Sequence, residues 1–412
     1  MTVNQSILAF ERAAPWVGDD LPALAPGLRI GFLFNHDQPH QVAHSLPVAL
    51  ELRHLLPGAE IVLATTNPVV EAEVRRLAGA ELGGFTHVTL GFTSSWRRAA
   101  VKMLEPFVPA AKVAIYGDNL DFFRGLDLLV VAEKTSLILK DHYHLDLPIV
   151  HTRHGAGDRA VGFNAESAKF DLTLVAGPKI RDRLVTESGV AADRVKVVGY
   201  PKFDIVGDDR PAFGFADPSR PTVLYNPHFS PRLSSWFTDG PRILDFFRSS
   251  RDYNLIFAPH VMLFHRRFSA SVERLRIRRV PRIDPAIYDA PNIHVDLGSA
   301  ASVDMTYTRA ADIYIGDVSS QVYEFLRTPK PALFVRLPED AGRETLDHFR
   351  AGEVVDAGAD IGAALSRAID KQPARVSIQR QLFNRTFDLG ERPSSLRAAL
   401  AIRDLLARTN AR

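Results

Sequence analysis

Short apolar runs alternate with segments of helical periodicity along the whole chain. The runs Leu28–Phe34, Glu60–Ala64, Lys112–Tyr116, Leu126–Ala132, Leu147–Thr152, Leu172–Val175 and Val195–Val198 are mostly Val, Ile and Leu. That is the pattern of strands buried on both faces of a parallel sheet. Helical stretches are expected between them, at Gln41–Leu56, Val69–Ala78 and Lys179–Ser188. A turn-rich stretch, Gly207–Pro221, reads as a linker. Beyond it a second set of strands is expected at Thr222–Tyr225, Asn254–Ala258, Ile293–Val295, Ile313–Ile315 and Ala332–Val335. Helices are expected at Pro241–Ser249, His265–Val280, Gln321–Arg327 and Ile361–Lys371. A last amphipathic helix is expected over Ser394–Ala407, with Leu396, Leu400, Ile402 and Leu406 on its apolar face.

Such alternation predicts an α/β chain of two doubly wound, Rossmann-like domains. The expected division is 1–206 and 207–391, with the helix in 392–412 packing back on the first domain. A length of 412 residues fits two cores of about 200 residues each. Ligands of these folds bind outside the carboxyl ends of the strands, so a cleft between the two domains is the expected site.

Composition narrows the function classes. With 46% hydrophobic and 24% charged residues the chain reads as globular, and a net charge of +2 gives no global attraction to nucleic acid. The absence of cysteine excludes disulfides and thiolate chemistry, and fits a reducing compartment. Met1–Ile30 lacks a basic region followed by an apolar core, and no apolar run approaches the length of a membrane span. The expected location is the cytoplasm, with any membrane contact peripheral.

Candidate chemistry sits just after predicted strands. Gly316-Asp317-Val318-Ser319-Ser320 follows an apolar strand and opens a helix, where unpaired N–H groups and hydroxyls suit a phosphate. Glu324 lies about one turn further on, within reach of a ribose on the same ligand. An ordinary N-cap would use the same residue types. His154, in Thr152-Arg153-His154-Gly155-Ala156-Gly157-Asp158, follows a strand of the first domain and has the pKa to take a proton from an alcohol. His260, after Pro259, follows a strand of the second and can meet a phosphate. A turn histidine and a histidine packed under a helix are the plain alternatives.

Four segments in order carry a resemblance: His154-Gly155, Val198-Gly199-Tyr200-Pro201-Lys202-Phe203-Asp204, Pro259-His260, and Asp317-Val318-Ser319-Ser320 with Glu324. The chain resembles the CDP-glycerol glycerophosphotransferase family, the teichoic-acid polymerases and primases of GT-B architecture, over about residues 130–340. The resemblance implies His154 as general base toward the acceptor hydroxyl. It implies His260 on the donor diphosphate and departing CMP, with Asp317, Ser319 and Ser320 at the same phosphates. It also implies a CDP-glycerol donor, a glycan or lipid-linked acceptor, and no metal or other cofactor. Arg153, Ala258, Val261 and Val318 depart from the family's usual residues at those places.

Lesser signals surround these. Asn35 and His36, after the first strand, with Gly155 and Asp158, are expected on the acceptor side. His228 and Arg232 lie in a loop placed to close over the donor. His36, His40 and His44 recur at a helical spacing without further ligands, so no metal site is expected. His142 and His144 are expected in a surface loop. The arginines of His265–Arg282 and the segment Ser95–Leu104 with Trp96 are candidates for contact with anionic membrane, or solvated faces. Two further readings stay open: a UDP-sugar enzyme (a GT-B glycosyltransferase or a UDP-GlcNAc 2-epimerase), and a catalytically silent binding module.

Overall fold

The computed structural model describes residues 24–36, 39–94, 110–153, 163–207, 209–265, 268–271, 276–317, 319–337 and 347–409. They form two compact units, the first made of residues up to 207 and from Thr386 on, the second of the stretch between.

Unit 1 is built on a seven-stranded parallel sheet: β1 (Arg29–Phe34), β2 (Glu60–Thr65), β3 (Thr86–Thr89), β4 (Leu128–Val131), β5 (Ile149–Thr152), β6 (Leu172–Val175) and β7 (Val195–Val197), in the order β3-β2-β1-β4-β5-β6-β7. Strand alternation divides the core into two layers. Ile30, Phe32, Phe34, Leu128 and Val130 pack on one face with the helices Leu46–Leu55, Pro68–Ala78 and Ser394–Thr409. Leu33, Leu129, Val131 and Ile149 pack on the other with Ile115, Tyr116 and Phe123. Both faces are covered, which is why these strands read as continuous apolar runs.

The Ser394–Thr409 helix is bound to unit 1 by the Gly199–Asp204 element. Gly199 has φ +87°, and a Cβ there would stand 2.3 Å from Ser394 Oγ and 2.7 Å from the Asp388 carbonyl oxygen. Tyr200 packs on Phe203, Phe387 and His44. The most distinctive segment of the sequence therefore works here as a structural clasp.

Unit 2 has a six-stranded parallel sheet of β8 (Thr222–Asn226), β9 (Asn254–Phe257), β12 (Ile293–Val295), β13 (Ile313–Gly316), β14 (Ala332–Arg336) and β15 (Glu353–Asp356), ordered β12-β9-β8-β13-β14-β15. Val223, Tyr225, Leu255, Phe257, Ile313 and Ile315 pack with the helices Gly240–Ser249 and Ile361–Asp370. Counted in chain order within each sheet, both units follow the 3-2-1-4-5-6 winding, with a seventh strand added in unit 1.

Three expectations are corrected. Lys112–Tyr116 is not a strand but part of the helix Ala110–Asp118. A five-residue apolar run does not separate the two, and the alanines at 110, 111 and 114 favour helix. His265–Val280 is not a helix: β10 (Phe268–Ser271) and β11 (Arg276–Arg279) pair antiparallel as a separate two-stranded sheet. A helix there would have set Arg274 against Arg278, at a spacing where like charges repel. The helix expected over Gln321–Arg327 spans only Ser320–Phe325. Two edge strands, β3 and β15, and the helix Gln372–Thr386 were not anticipated. Among the described residues no helix is long and apolar enough to cross a membrane.

Candidate functional site

In unit 2 the three central strands β9, β8 and β13 end side by side, and the residues just past their carboxyl ends gather around one carboxylate. Asp317, one residue beyond β13, is buried. Its Oδ2 accepts hydrogen bonds from the backbone N–H of His228 (2.9 Å) and of Ser235 (3.0 Å). The aspartate thus fixes both ends of the loop after β8. Its charge also helps burial push the Tyr225 and Tyr314 hydroxyls well above their usual pKa.

Asn226 ties the same strand ends together. Its Nδ2 donates to the Ala258 carbonyl at 2.6 Å, and its Oδ1 accepts from the Tyr314 hydroxyl at 3.3 Å. His260 follows through Pro259, its N–H donating to the Pro227 carbonyl at 2.9 Å.

The His228 and His260 rings lie 5.3 Å apart between centroids, and Phe229 packs 4.5 and 4.6 Å from the two. His228 Nδ1 accepts from the Ser230 N–H at 2.9 Å, and His260 Nδ1 accepts from the Met262 N–H at 3.2 Å. Each neutral ring must then carry its proton on Nε2. Two N–H-bearing imidazoles at adjacent strand ends suit an anion. Arg232 lies half-buried in the turn of the same loop.

Ser319 is the N-cap of the short helix Ser320–Phe325, and its Oγ accepts from the Gln321 N–H at 3.2 Å. This is the ordinary capping use of a serine. Gln321 Nε2 donates to the Ser302 carbonyl at 2.9 Å and anchors the helix to the loop after β12. Glu324 is buried on the same helix, close enough for its charge to raise Tyr314.

In unit 1, Asn35 and His36 follow β1 and are buried. Asn35 Nδ2 donates to the Tyr116 hydroxyl at 2.5 Å, which lies 3.2 Å from Ser136 Oγ. His36 Nδ1 faces Glu133 Oε1 at 3.8 Å. His44 packs on Tyr200 and belongs to a 3-10 turn, Pro39–His44, so the helical spacing of the three histidines does not apply. Among the described residues no three His, Asp or Glu side chains converge as metal ligands. His142 and His144 are exposed. His154, Gly155, Asp158 and the segment 95–104 lie outside the described residues.

Sequence reasoning missed Glu133, Lys112 and Tyr116. Glu133 stands just past a predicted strand and was open to the same argument as His154, but Lys112 and Tyr116 were assigned to a strand.

No family model matches the chain, and no curated protein matches it in sequence. Solved structures do match in fold. The glycotransferase of kitacinnamycin aligns with TM-score 0.53 at 14% identity, over 92% of this chain and 99% of its own. The wall teichoic acid polymerase TagF aligns with TM-score 0.56 at 13% identity, over 94% and 90%. The S. aureus MnaA structure with UDP aligns with TM-score 0.54 at 15% identity, over 92% and 97%. The chain has the α/β fold of these proteins, two Rossmann-like domains of the GT-B class.

Proposed function

We propose that the chain is a transferase that moves a glycerol-phosphate-like group from a CDP-activated donor to a hydroxyl of a glycan, polymer or glycolipid. The observation that carries this reading is the His228–His260 pair, two N–H-bearing imidazoles beside the Asp317 turn. Such a pair is suited to a diphosphate. The fold supports it too: TagF has been solved after soaking with CDPG, and MnaA with UDP.

On this reading unit 2 holds the donor. His260 Nε2 and His228 Nε2 donate to the phosphates, Ser319 and Ser320 border them, and Glu324 serves the ribose. Unit 1 holds the acceptor beside Asn35 and His36, and Gly155 and Asp158 are proposed to serve the same acceptor. His154 takes the acceptor hydroxyl's proton as the oxygen attacks phosphorus, the bond to the nucleotide's phosphate breaks, and CMP leaves with both electrons of that bond. Positioning and charge stabilisation then supply most of the rate, and no metal or cofactor is required. The expected site of action is cytoplasmic, with any contact to an anionic membrane peripheral and no nucleic-acid partner.

A UDP-sugar enzyme is the second reading, favoured by the likeness to MnaA. Offering the purified protein a panel of CDP-alcohols and UDP-sugars and measuring nucleotide release separates the two. CMP release supports the first reading; UDP release replaces it with the second. Release of neither favours a silent binding module.

A further inference from the structure

Both sheets reverse their winding between the first and fourth strands: β1 and β4 in unit 1, β8 and β13 in unit 2. Ligands of doubly wound folds collect at that point. Each carries the same residue types. An asparagine stands at the end of the first strand with a histidine next or next but one, and a carboxylate follows the fourth. These are Asn35, His36 and Glu133 in unit 1, and Asn226, His228 and Asp317 in unit 2.

The carboxylates differ in use. Asp317 holds two backbone N–H groups of its own loop. Glu133 instead faces side chains: its Oε2 accepts from Lys112 Nζ at 2.6 Å and Thr135 Oγ1 at 3.3 Å, and its Oε1 stands 3.8 Å from His36 Nδ1. Burial pushes the Glu133 carboxyl up, but the facing His36 and Lys112 outweigh it and hold its pKa at about 2. The carboxylate is therefore charged. Glu133 and Lys112 keep 14% and 16% of their side chains open to solvent, whereas His36 is wholly enclosed. Neither His36 ring nitrogen has a hydrogen-bond partner within bonding distance among the described residues. A buried polar group left in that state costs about 1–3 kcal/mol and calls for a reason in the chemistry around it.

A carboxylate and an ammonium side by side at a partly exposed rim match neighbouring hydroxyls, one accepting an O–H and the other donating to an oxygen. We propose that Glu133 and Lys112 form a hydroxyl-recognition subsite for a polyol or sugar acceptor, with His36 as the positioning residue behind Glu133. Only its naming as an acceptor subsite rests on the transferase reading.

The test is saturation-transfer NMR with glycerol and N-acetylglucosamine as probes, on wild type, Glu133→Gln, Lys112→Gln and His36→Gln, with CDP binding followed separately by calorimetry. Wild type is expected to take up the probes, and Glu133→Gln and Lys112→Gln to weaken them at least about tenfold while CDP affinity stays unchanged. His36→Gln is expected to weaken the probes less than Glu133→Gln does, again with CDP affinity unchanged. If Glu133→Gln does not fold, Lys112→Gln carries the same expectation. Absence of probe binding to wild type, or undiminished binding to both rim variants, overturns the proposal. Loss of CDP binding in wild type with probe binding intact would instead count against the donor site.

Discussion

Asp204 Oδ2 accepts a hydrogen bond from the backbone N–H of Ser395 at 2.6 Å, across 191 residues of sequence. Ser395 is the second residue of the Ser394–Thr409 helix, so the aspartate acts as a cap supplied from the end of the Gly199–Asp204 element. Arg397 adds bonds from the same helix to the Asp388 and Val197 carbonyls, at 2.6 and 3.2 Å. Asp204→Ala is expected to lower stability by about 1 kcal/mol, the usual cost of losing a cap, with Asp204→Asn milder because it keeps an acceptor oxygen. Urea unfolding measures both, and an unchanged midpoint for Asp204→Ala would remove the clasp.

Two glycines separate backbone strain from crowding. Gly189 has φ +66° with open space where a Cβ would go, whereas Gly199 has φ +87° with Ser394 and Asp388 in the way. Gly189→Ala is expected to cost about 1 kcal/mol, and Gly199→Ala about 2–4 kcal/mol. Thermal unfolding of the two variants should rank them in that order.

The donor and acceptor roles predict different kinetic signatures. His260→Ala and Asp317→Ala are each expected to weaken CDP binding about tenfold or more, since one removes a phosphate donor and the other releases the loop that carries His228. His154→Ala is expected to lower turnover by roughly 10²–10⁴ with donor affinity nearly unchanged. Calorimetry beside steady-state assays distinguishes the two classes. Full activity in His154→Ala would support the silent-module reading.

Acid should act through Glu133. Its pKa is depressed from 4.5 to about 2 in the folded chain, so the unfolded chain binds its proton first as the pH falls. The stabilisation is complete above about 4.5 and disappears as the pH drops to about 2. After discounting for solvent at the rim, about 2 kcal/mol is at stake. Glu133→Gln is expected to flatten the stability profile within that window, as followed by urea unfolding at stepped pH. An identical slope in wild type and variant would contradict it.

The fold was legible because its central strands are enclosed on both faces. Runs such as Leu172–Val175 and Thr222–Asn226 announce themselves without reference to partners. The edge strand β3, half polar and mostly exposed, does not. The Lys112–Tyr116 error has the same origin, since a buried helix turn and a buried strand look alike over five residues. The strand-end positions of His260, Asp317 and His36 were legible too, since each lies just past its strand. The uses of Asp317 and Glu133 depend on which strands lie side by side, and that order is not written in any local pattern. Tyr200 and Phe203 show the reverse case, a motif conspicuous in the sequence whose work is packing against Phe387.

The most direct measurement is a crystal structure of the protein soaked with CDP. The account predicts the diphosphate within hydrogen-bond distance of His260 Nε2 and beside the Asp317–Ser319 turn of unit 2. Nucleotide bound at another place, or a diphosphate contacting neither His228 nor His260, would contradict it.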